Sequence, residues 1–299
     1  MRILVALAIE AEFTPWRRFG DIHLCRVDPK KHRSVAASSP DGGPPGLGFI
    51  IATAKIRGAR VDFLLTGMGA SNARCAIRDA LAGSDSASNY QLCIATGLSG
   101  ALAPTIALAE IMVPESVASS AVIQKNGAPP TPAPIACDPT LLRQAVMAGA
   151  RQVKTQLTVD HLVCSAAEKS SLAPRAEIID METYEILSSA AAHKIPALAI
   201  RAISDCACDE LPAGMETLVD PFGHAKPVAA LKMLATRPSA LGPLMRLGRA
   251  SKDAAAKLAQ FVRNYIEQIS LQDQALTDPS AHSNQSNHKK RDLQHTSTQ

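Results

Sequence analysis

Apolar residues in this chain gather into short runs separated by stretches of helical spacing. Ile3 to Ile9, Gly48 to Ala54, Val61 to Thr66, Gln91 to Thr96, Ile106 to Val113 and Leu157 to Ser165 read as strands. Asn72 to Leu81 and Pro139 to Ala148 have the period of helices, and Ala166 to Ser170 opens a shorter one. From Ala176 to Asp209 the pattern is strand, helix, strand. Ile178 and Ile179 end one apolar run; Ile186, Leu187, Ala190 and Ala191 then share a helical face. Pro196 restarts the chain before the run Ala197 to Ile203. Further on, Val228 to Leu234 and Leu241 to Leu247 are helical stretches parted by Arg237-Pro238-Ser239, and Asp253 to Ile269 is a longer helix. This alternation predicts an α/β fold, and 299 residues in such a fold are often one domain.

Between these elements the chain is polar. Asp28 to Gly48 reads as a surface loop or ragged hairpin and Gly127 to Pro134 as a Pro-rich loop. The insert at residues 206–225 is long for a connection and is placed to cover a site mouth. Residues 271–299, rich in Ser, Asn, Gln and His, are expected to form a disordered tail.

Composition narrows the class. Hydrophobic residues make up 46% of the chain, enough for a sizeable core, but aromatics only 3%, so Ala, Leu, Ile and Val must fill it. A net charge of +4 is too small to argue for nucleic acid. The seven cysteines are scattered, with no Cys-x-x-Cys pair, as expected of buried thiols in a reducing cytoplasm. Cys206-x-Cys208 lacks the neighbours of a metal site, and His282, His288 and His295 are too dispersed for one. The opening apolar run is too short for a signal peptide, and no run reaches the ~18 residues of a membrane span.

Candidate chemistry sits where strands end. Asp180-Met181-Glu182 follows one run, Ser204-Asp205 another, and Glu10 and Glu12 lie past the first. In open α/β sheets ligands bind beyond the carboxyl ends of strands. Spacing alone leaves another reading open, in which Glu182 opens a helix and Asp205 starts a turn. Gly67-Met68-Gly69-Ala70-Ser71-Asn72 lets backbone amides approach an anion or sugar, yet it is neither a dinucleotide fingerprint nor a P-loop. Gly97-Leu98-Ser99-Gly100 lacks the spacing of a lipase elbow. His161, inside an apolar run, reads as a core or edge histidine.

Ile179-Asp180-Met181-Glu182 resembles the "(V)-x-M-E" signature of the purine nucleoside phosphorylase superfamily, and Arg201-Ala202-Ile203-Ser204-Asp205 resembles its "R-A-I-S-D" motif. The ordered pair is closest to the nucleosidase branch that acts on methylthioadenosine and S-adenosylhomocysteine. Gly67-Met68-Gly69 is similar to the family's "G-x-G" turn, and Thr96-Gly97 opens a segment similar to its "N-T-G-S-A-G-G-L" loop over the ribose. Aligned from the first methionine, Glu12 falls on the family's catalytic carboxylate. Two departures stand out: Ala95 replaces a phosphate-binding arginine of the phosphorylases, and Leu98 replaces a frequent serine. The stretch around Met233, Leu234, Leu241, Leu244, Met245 and Leu247 resembles the C-terminal part of the hopanoid-associated phosphorylases, which leaves room for a greasy 5′ group or contact with a membrane surface.

The resemblance implies a single α/β domain over 1–270, a mixed central sheet flanked by helices, with a helical C-terminal addition from about residue 226. It implies cleavage of the N-glycosidic bond of a purine nucleoside, with no cofactor, no metal, phosphate as a conditional co-substrate and a homodimer or larger assembly. Asp205, if protonated, would donate to N7 of the leaving base, a general-acid step typically worth ~10²–10⁴-fold. Crowding among carboxylates would help keep that proton on. Glu182 would accept the ribose hydroxyls. Glu12 would hold and deprotonate a water, Arg201 would orient Glu182 or Glu12, and Met181 would pack on base and ribose. Gly69, Thr96, Gly97 and Ser204 complete the expected binding set. Three alternatives stay open: a hydrolytic nucleosidase for a 5′-modified adenosine, a phosphorylase for a lipid-linked adenosine, and a nucleoside-binding protein without turnover.

Overall fold

The apolar runs meet in one mixed sheet. A computed structural model describes residues 1–19, 25–26, 49–82, 90–120, 132–212, 214 and 241–277. Its strands are β1 (Arg2–Leu7), β2 (Cys25–Arg26), β3 (Phe49–Ile56), β4 (Ala59–Leu65), β5 (Leu92–Ala101), β6 (Ile111–Ser119), β7 (Ile135–Ala136), β8 (Arg151–Thr158), β9 (Ile178–Asp180) and β10 (Ala197–Asp205). Its helices are α1 (Glu10–Phe13), α2 (Ala70–Ala82), α3 (Pro139–Met147), α4 (Ala166–Leu172), α5 (Thr183–Ala192) and α6 (Leu241–Thr277). The strand order is β10-β6-β8-β9-β5-β1-β4-β3-β2, and β10 also pairs with β5. That last pairing closes β5, β9, β8, β6 and β10 into a ring, from which β1, β4, β3 and β2 extend as an open sheet.

The site is set by strand direction. β1 runs parallel to β4 and β5, and β5 parallel to β10, so their carboxyl ends converge on one edge. β9 arrives antiparallel, with Ile179 opposite Gly100. Strands inside a parallel sheet are covered on both faces and read as continuous apolar runs. Accordingly Ile3, Leu4, Val5 and Ala6 have no exposed surface. Just past β1, Phe13 and Trp16 close edge-on over Phe63, with ring centroids 5.3 and 4.7 Å away. They anchor the turn that carries Glu12. On the other side α6 packs Leu258, Val262, Tyr265, Ile266 and Ile269 into the core, and the Tyr265 hydroxyl donates to Leu141 O at 3.0 Å.

Several boundaries differ from the sequence reading. β5 continues through Gly97-Leu98-Ser99-Gly100, expected as a loop, because β10 pairs alongside it as far as Gly100. β6 starts at Ile111 rather than Ile106 and passes through Pro114. Its recorded pairing with β10 covers Ile111 and Met112 only, so a residue without an N–H fits beyond that point. β8 lies six residues earlier than expected, over Arg151–Thr158. The apolar run after it is not sheet; Val159, Leu162 and Val163 wall a cleft. Arg57 (φ 46°) and Gly58 (φ 83°) make the tight turn of a β3–β4 hairpin, where a left-handed backbone is required. Leu241 to Leu247 and Asp253 to Ile269 belong to one continuous helix, and it runs to Thr277, through the first part of the expected tail. Gln272 Oε1 accepts from Gln144 Nε2 at 2.6 Å, and Gln274 donates to Arg57 O at 2.9 Å, which ties that end down. Val228 to Leu234, Gly127 to Thr131, most of the 206–225 insert and the tail beyond Thr277 lie outside the described residues. No described helix is long and apolar enough to cross a membrane.

Ile266 is fully buried on the inner face of α6. Ile266→Ala is expected to cost about 2–5 kcal/mol of unfolding free energy, read as a lower denaturation midpoint at unchanged slope.

Candidate active site

The strand ends enclose an open cleft of about 160 Å³. Glu12, Met181, Glu182, Ser204 and Asp205, all singled out in the sequence, line it. Gly69, Thr96, Gly97 and Arg201 do not line it.

Glu12 is held by amides. It sits at the third position of α1, and its side chain turns back so that Oε2 accepts from Ala8 N–H at 2.9 Å and Ile9 N–H at 3.3 Å. Oε1 accepts from Leu98 N–H at 2.8 Å. Burial pushes its pKa up; the amides and the Arg201 charge oppose this only in part. Leu98, one of the departures, thus serves the site through its backbone. Gly97 explains how β5 comes so close. A Cβ there would lie 2.5 Å from Arg201 Nη1 and 2.7 Å from Glu12 Oε1, so no side chain fits.

Glu182 caps α5, and its Oε1 accepts from Gly69 N–H at 2.6 Å. Gly69 has φ +89°, a left-handed turn that aims this amide at the carboxylate. Burial first and the neighbouring Asp180 charge second push Glu182 up to about 8. A carboxyl raised this far can donate a hydrogen bond as well as accept one. The sequence reading expected crowding of carboxylates to act on Asp205; here the Asp180 charge acts on Glu182.

Asp205 faces a cation instead. Its Oδ2 is 2.6 Å from Lys169 Nζ, and its Oδ1 accepts from Ser204 Oγ at 2.7 Å. Lys169 has no exposed surface, and its ammonium also donates to Cys206 O at 2.8 Å and Asp209 O at 3.1 Å. Gly100 lets the carboxylate lie flat on β5, since a Cβ there would come 3.0 Å from Oδ2.

Arg201 does not orient Glu182 or Glu12 by contact, as the sequence reading expected. Its Nη2 instead donates to Asp180 Oδ2 at 2.6 Å and to Thr183 Oγ1. Its charge reaches both glutamates through space. Asp180 gathers further donors: Thr158 Oγ1 at 2.7 Å, Thr183 N–H at 2.9 Å and Glu182 N–H at 3.3 Å. Ser99 Oγ donates to Ile179 O at 2.5 Å, joining β5 to β9 under the cleft. His161 is no core residue. Its side chain is 59% exposed at the cleft rim, between Asp160 and Glu168, each at 2.7 Å, which together raise its pKa.

Sequence reading missed Lys169, the Asp180 network and the apolar wall. Only Lys169's helix carried a signal: Ser165 Oγ caps α4 by accepting from Glu168 N–H at 3.1 Å, and this cap sets the helix phase that turns the next residue inward. Among the described residues no cluster of His, Cys, Asp and Glu is arranged to hold a metal.

Solved structures of nucleosidases match this mixed sheet over most of their length. The methylthioadenosine/S-adenosylhomocysteine nucleosidase of Helicobacter pylori, solved with butyl-thio-DADMe-Immucillin-A, superposes with a TM-score of 0.65 at 14% identity, covering 90% of this chain and 98% of that one. The Neisseria meningitidis nucleosidase with methylthio-immucillin-A gives 0.61 at 19% identity, over 89% and 99%. Futalosine hydrolase of Helicobacter pylori gives 0.64 at 13% identity, over 90% and 98%. No curated protein matches the chain. The phosphorylase superfamily model matches residues 27–236, and the chain belongs to that superfamily. It is thereby an enzyme of the nucleosidase and nucleoside phosphorylase class. Glu12 and α6 lie outside the matched residues, so their place in the site rests on geometry.

Two tests follow from this geometry. For Glu182 the native state holds a proton that the unfolded chain releases near its ordinary value, 4.5, so stability falls as pH rises from there to about 8. Glu182→Gln removes this loss. Its stability relative to the parent, measured by denaturant titration, is expected to improve steadily between pH 4.5 and 8 and to level off above. Gly97→Ala is expected to displace Glu12 and Arg201 and to lower turnover while the protein remains folded, read by activity beside circular dichroism.

Proposed function

We propose that this enzyme hydrolyses the N-glycosidic bond of a 5′-modified adenosine, releasing the base. The reading is carried by one observation: carboxylates from three separate strand ends, Glu12, Glu182 and Asp205, face one cleft with different partners. Cleavage makes the sugar oxocarbenium-like and sends electrons into the base. Glu12, made more basic by burial, takes a proton from the attacking water. Glu182 holds the ribose hydroxyls, and Asp205 hands a proton to N7 of the departing purine. Met181 and the wall of Val159, Leu162 and Val163 supply apolar surface for the base and sugar.

Hydrolysis is favoured over phosphorolysis by charge. A phosphate dianion needs a nearby cation or several donors. Among the described residues no Lys or Arg lines the cleft; Lys169 and Arg201 lie behind it in ion pairs, and His161 at the rim is already held between Asp160 and Glu168. Ala95 is buried in the core between β1 and β10, away from any anion. The relatives solved with immucillins are nucleosidases for methylthioadenosine and S-adenosylhomocysteine, which supports a 5′-modified adenosine here.

The test is base release from a panel of purine nucleosides, including 5′-methylthioadenosine and an apolar 5′-alkyl adenosine, with and without phosphate. Release without phosphate and formation of free sugar are expected. Release only with phosphate would make the enzyme a phosphorylase. Asp205→Asn is expected to lower kcat by at least about 10²-fold while an inert nucleoside analogue still binds, measured by titration calorimetry.

A further inference from the structure

We propose that Lys169 supplies the proton that Asp205 delivers to the leaving base, so that the two residues act as one acid. The inference rests on the functional reading above and asks where the acid's proton comes from.

The geometry around Nζ is that of a charged amine. Three acceptors surround it, the Asp205 carboxylate at 2.6 Å and the carbonyls of Cys206 and Asp209 at 2.8 and 3.1 Å, one for each N–H of an ammonium. Lys169 is sealed from solvent and, among the described residues, touches the cleft only through Asp205, which lines it. Among the described residues Asp205 has no carboxylate partner; Ser204 Oγ donates to its other oxygen. An aspartate lying against an ammonium has no proton of its own to give, but the pair holds one that can move. As the glycosidic bond breaks, its electrons pass into the purine and N7 becomes basic. One N–H bond of Lys169 then breaks as an O–H bond forms on Asp205, and the Asp205 proton passes to N7. Lys169 is left a neutral amine and regains a proton from water after product leaves. The proton taken from the attacking water by Glu12 returns to solvent, so the balance closes. Lysine can do this and arginine cannot, because a guanidinium does not give up its proton in a protein. Lys169 acts through Asp205 and is a positioning and proton-supplying residue rather than a group in contact with substrate.

The other titratable groups around the pair are few. Asp209 turns its carboxylate to Cys206 N–H at 2.7 Å, the Cys206 thiol is raised by burial, and Glu168 points outward to His161.

The experiment compares two leaving groups in the parent, Lys169→Arg and Lys169→Met. One is the purine nucleoside turned over by the parent; the other is the 4-nitrophenyl riboside with the same 5′ group, whose nitrophenolate departs without a proton. With the purine, both variants are expected to lose about 10²-fold or more in kcat, with KM little changed and with nitrophenyl turnover retained. Equal losses on both substrates would assign Lys169 a structural role and overturn the proposal. So would parental purine turnover in Lys169→Arg, which would mean any cation suffices. Absence of base release by the parent from every nucleoside would overturn the functional reading and the relay with it, an outcome distinct from the other two.

Discussion

The ion pair between Arg201 and Asp180 is the contact on which the rest of the site depends. Both side chains are 1% exposed, and a buried charge without a partner is costly enough that neither residue is tolerable alone. The pair ties the middle of β10 to the end of β9, two strands that are not neighbours in the sheet. Asp180 then collects Thr158 from β8 and the first amides of α5, so β8, β9, β10 and α5 meet at one carboxylate. Several groups that line the cleft follow these residues closely along the chain. Met181 and Glu182 follow Asp180, Val159 follows Thr158, and Asp205 closes the strand that carries Arg201. Burying the pair thus fixes the positions of groups that never touch it.

Part of this is legible in the sequence. The motifs around Met181-Glu182 and Ser204-Asp205 mark two walls of the cleft, because each is a polar break after a buried run and strands of this kind end at the binding edge. Glu12 is legible by position, since β1 runs parallel to those strands and must deliver its carboxyl end to the same place. Partnering is not legible. Arg201 pairs with Asp180 rather than with either glutamate, and that choice depends on which side of β10 the guanidinium leaves. Lys169 looks in sequence like any helix-surface lysine. It turns inward only because the Ser165 cap fixes the phase of α4 against the loop after Asp205.

The misplaced strand has a physical cause of the same kind. Val159 to Val163 is apolar and reads as sheet, whereas the true β8 is the alternating, half-polar Arg151–Thr158. Apolar surface in a protein marks what is taken from water, whether by the core or by a ligand, and periodicity alone does not separate the two. The glycines divide likewise. Gly97 and Gly100 read as loop residues; they sit within β5, where carboxylate and guanidinium groups lie against the bare backbone.

One fold has therefore given three acids three settings. Glu12 is buried with amides on both oxygens, which oppose in part the upward push of burial. Glu182 has one amide, and burial and the nearby charge of Asp180 push it up to about 8. Asp205 has an ammonium. In the proposed reaction the three serve as base, sugar clamp and acid, tasks that differ in what each must do with a proton. Chemically the three side chains are near-identical. Their differences come from the strand end each occupies and from the backbone amide or cation that the fold brings to it.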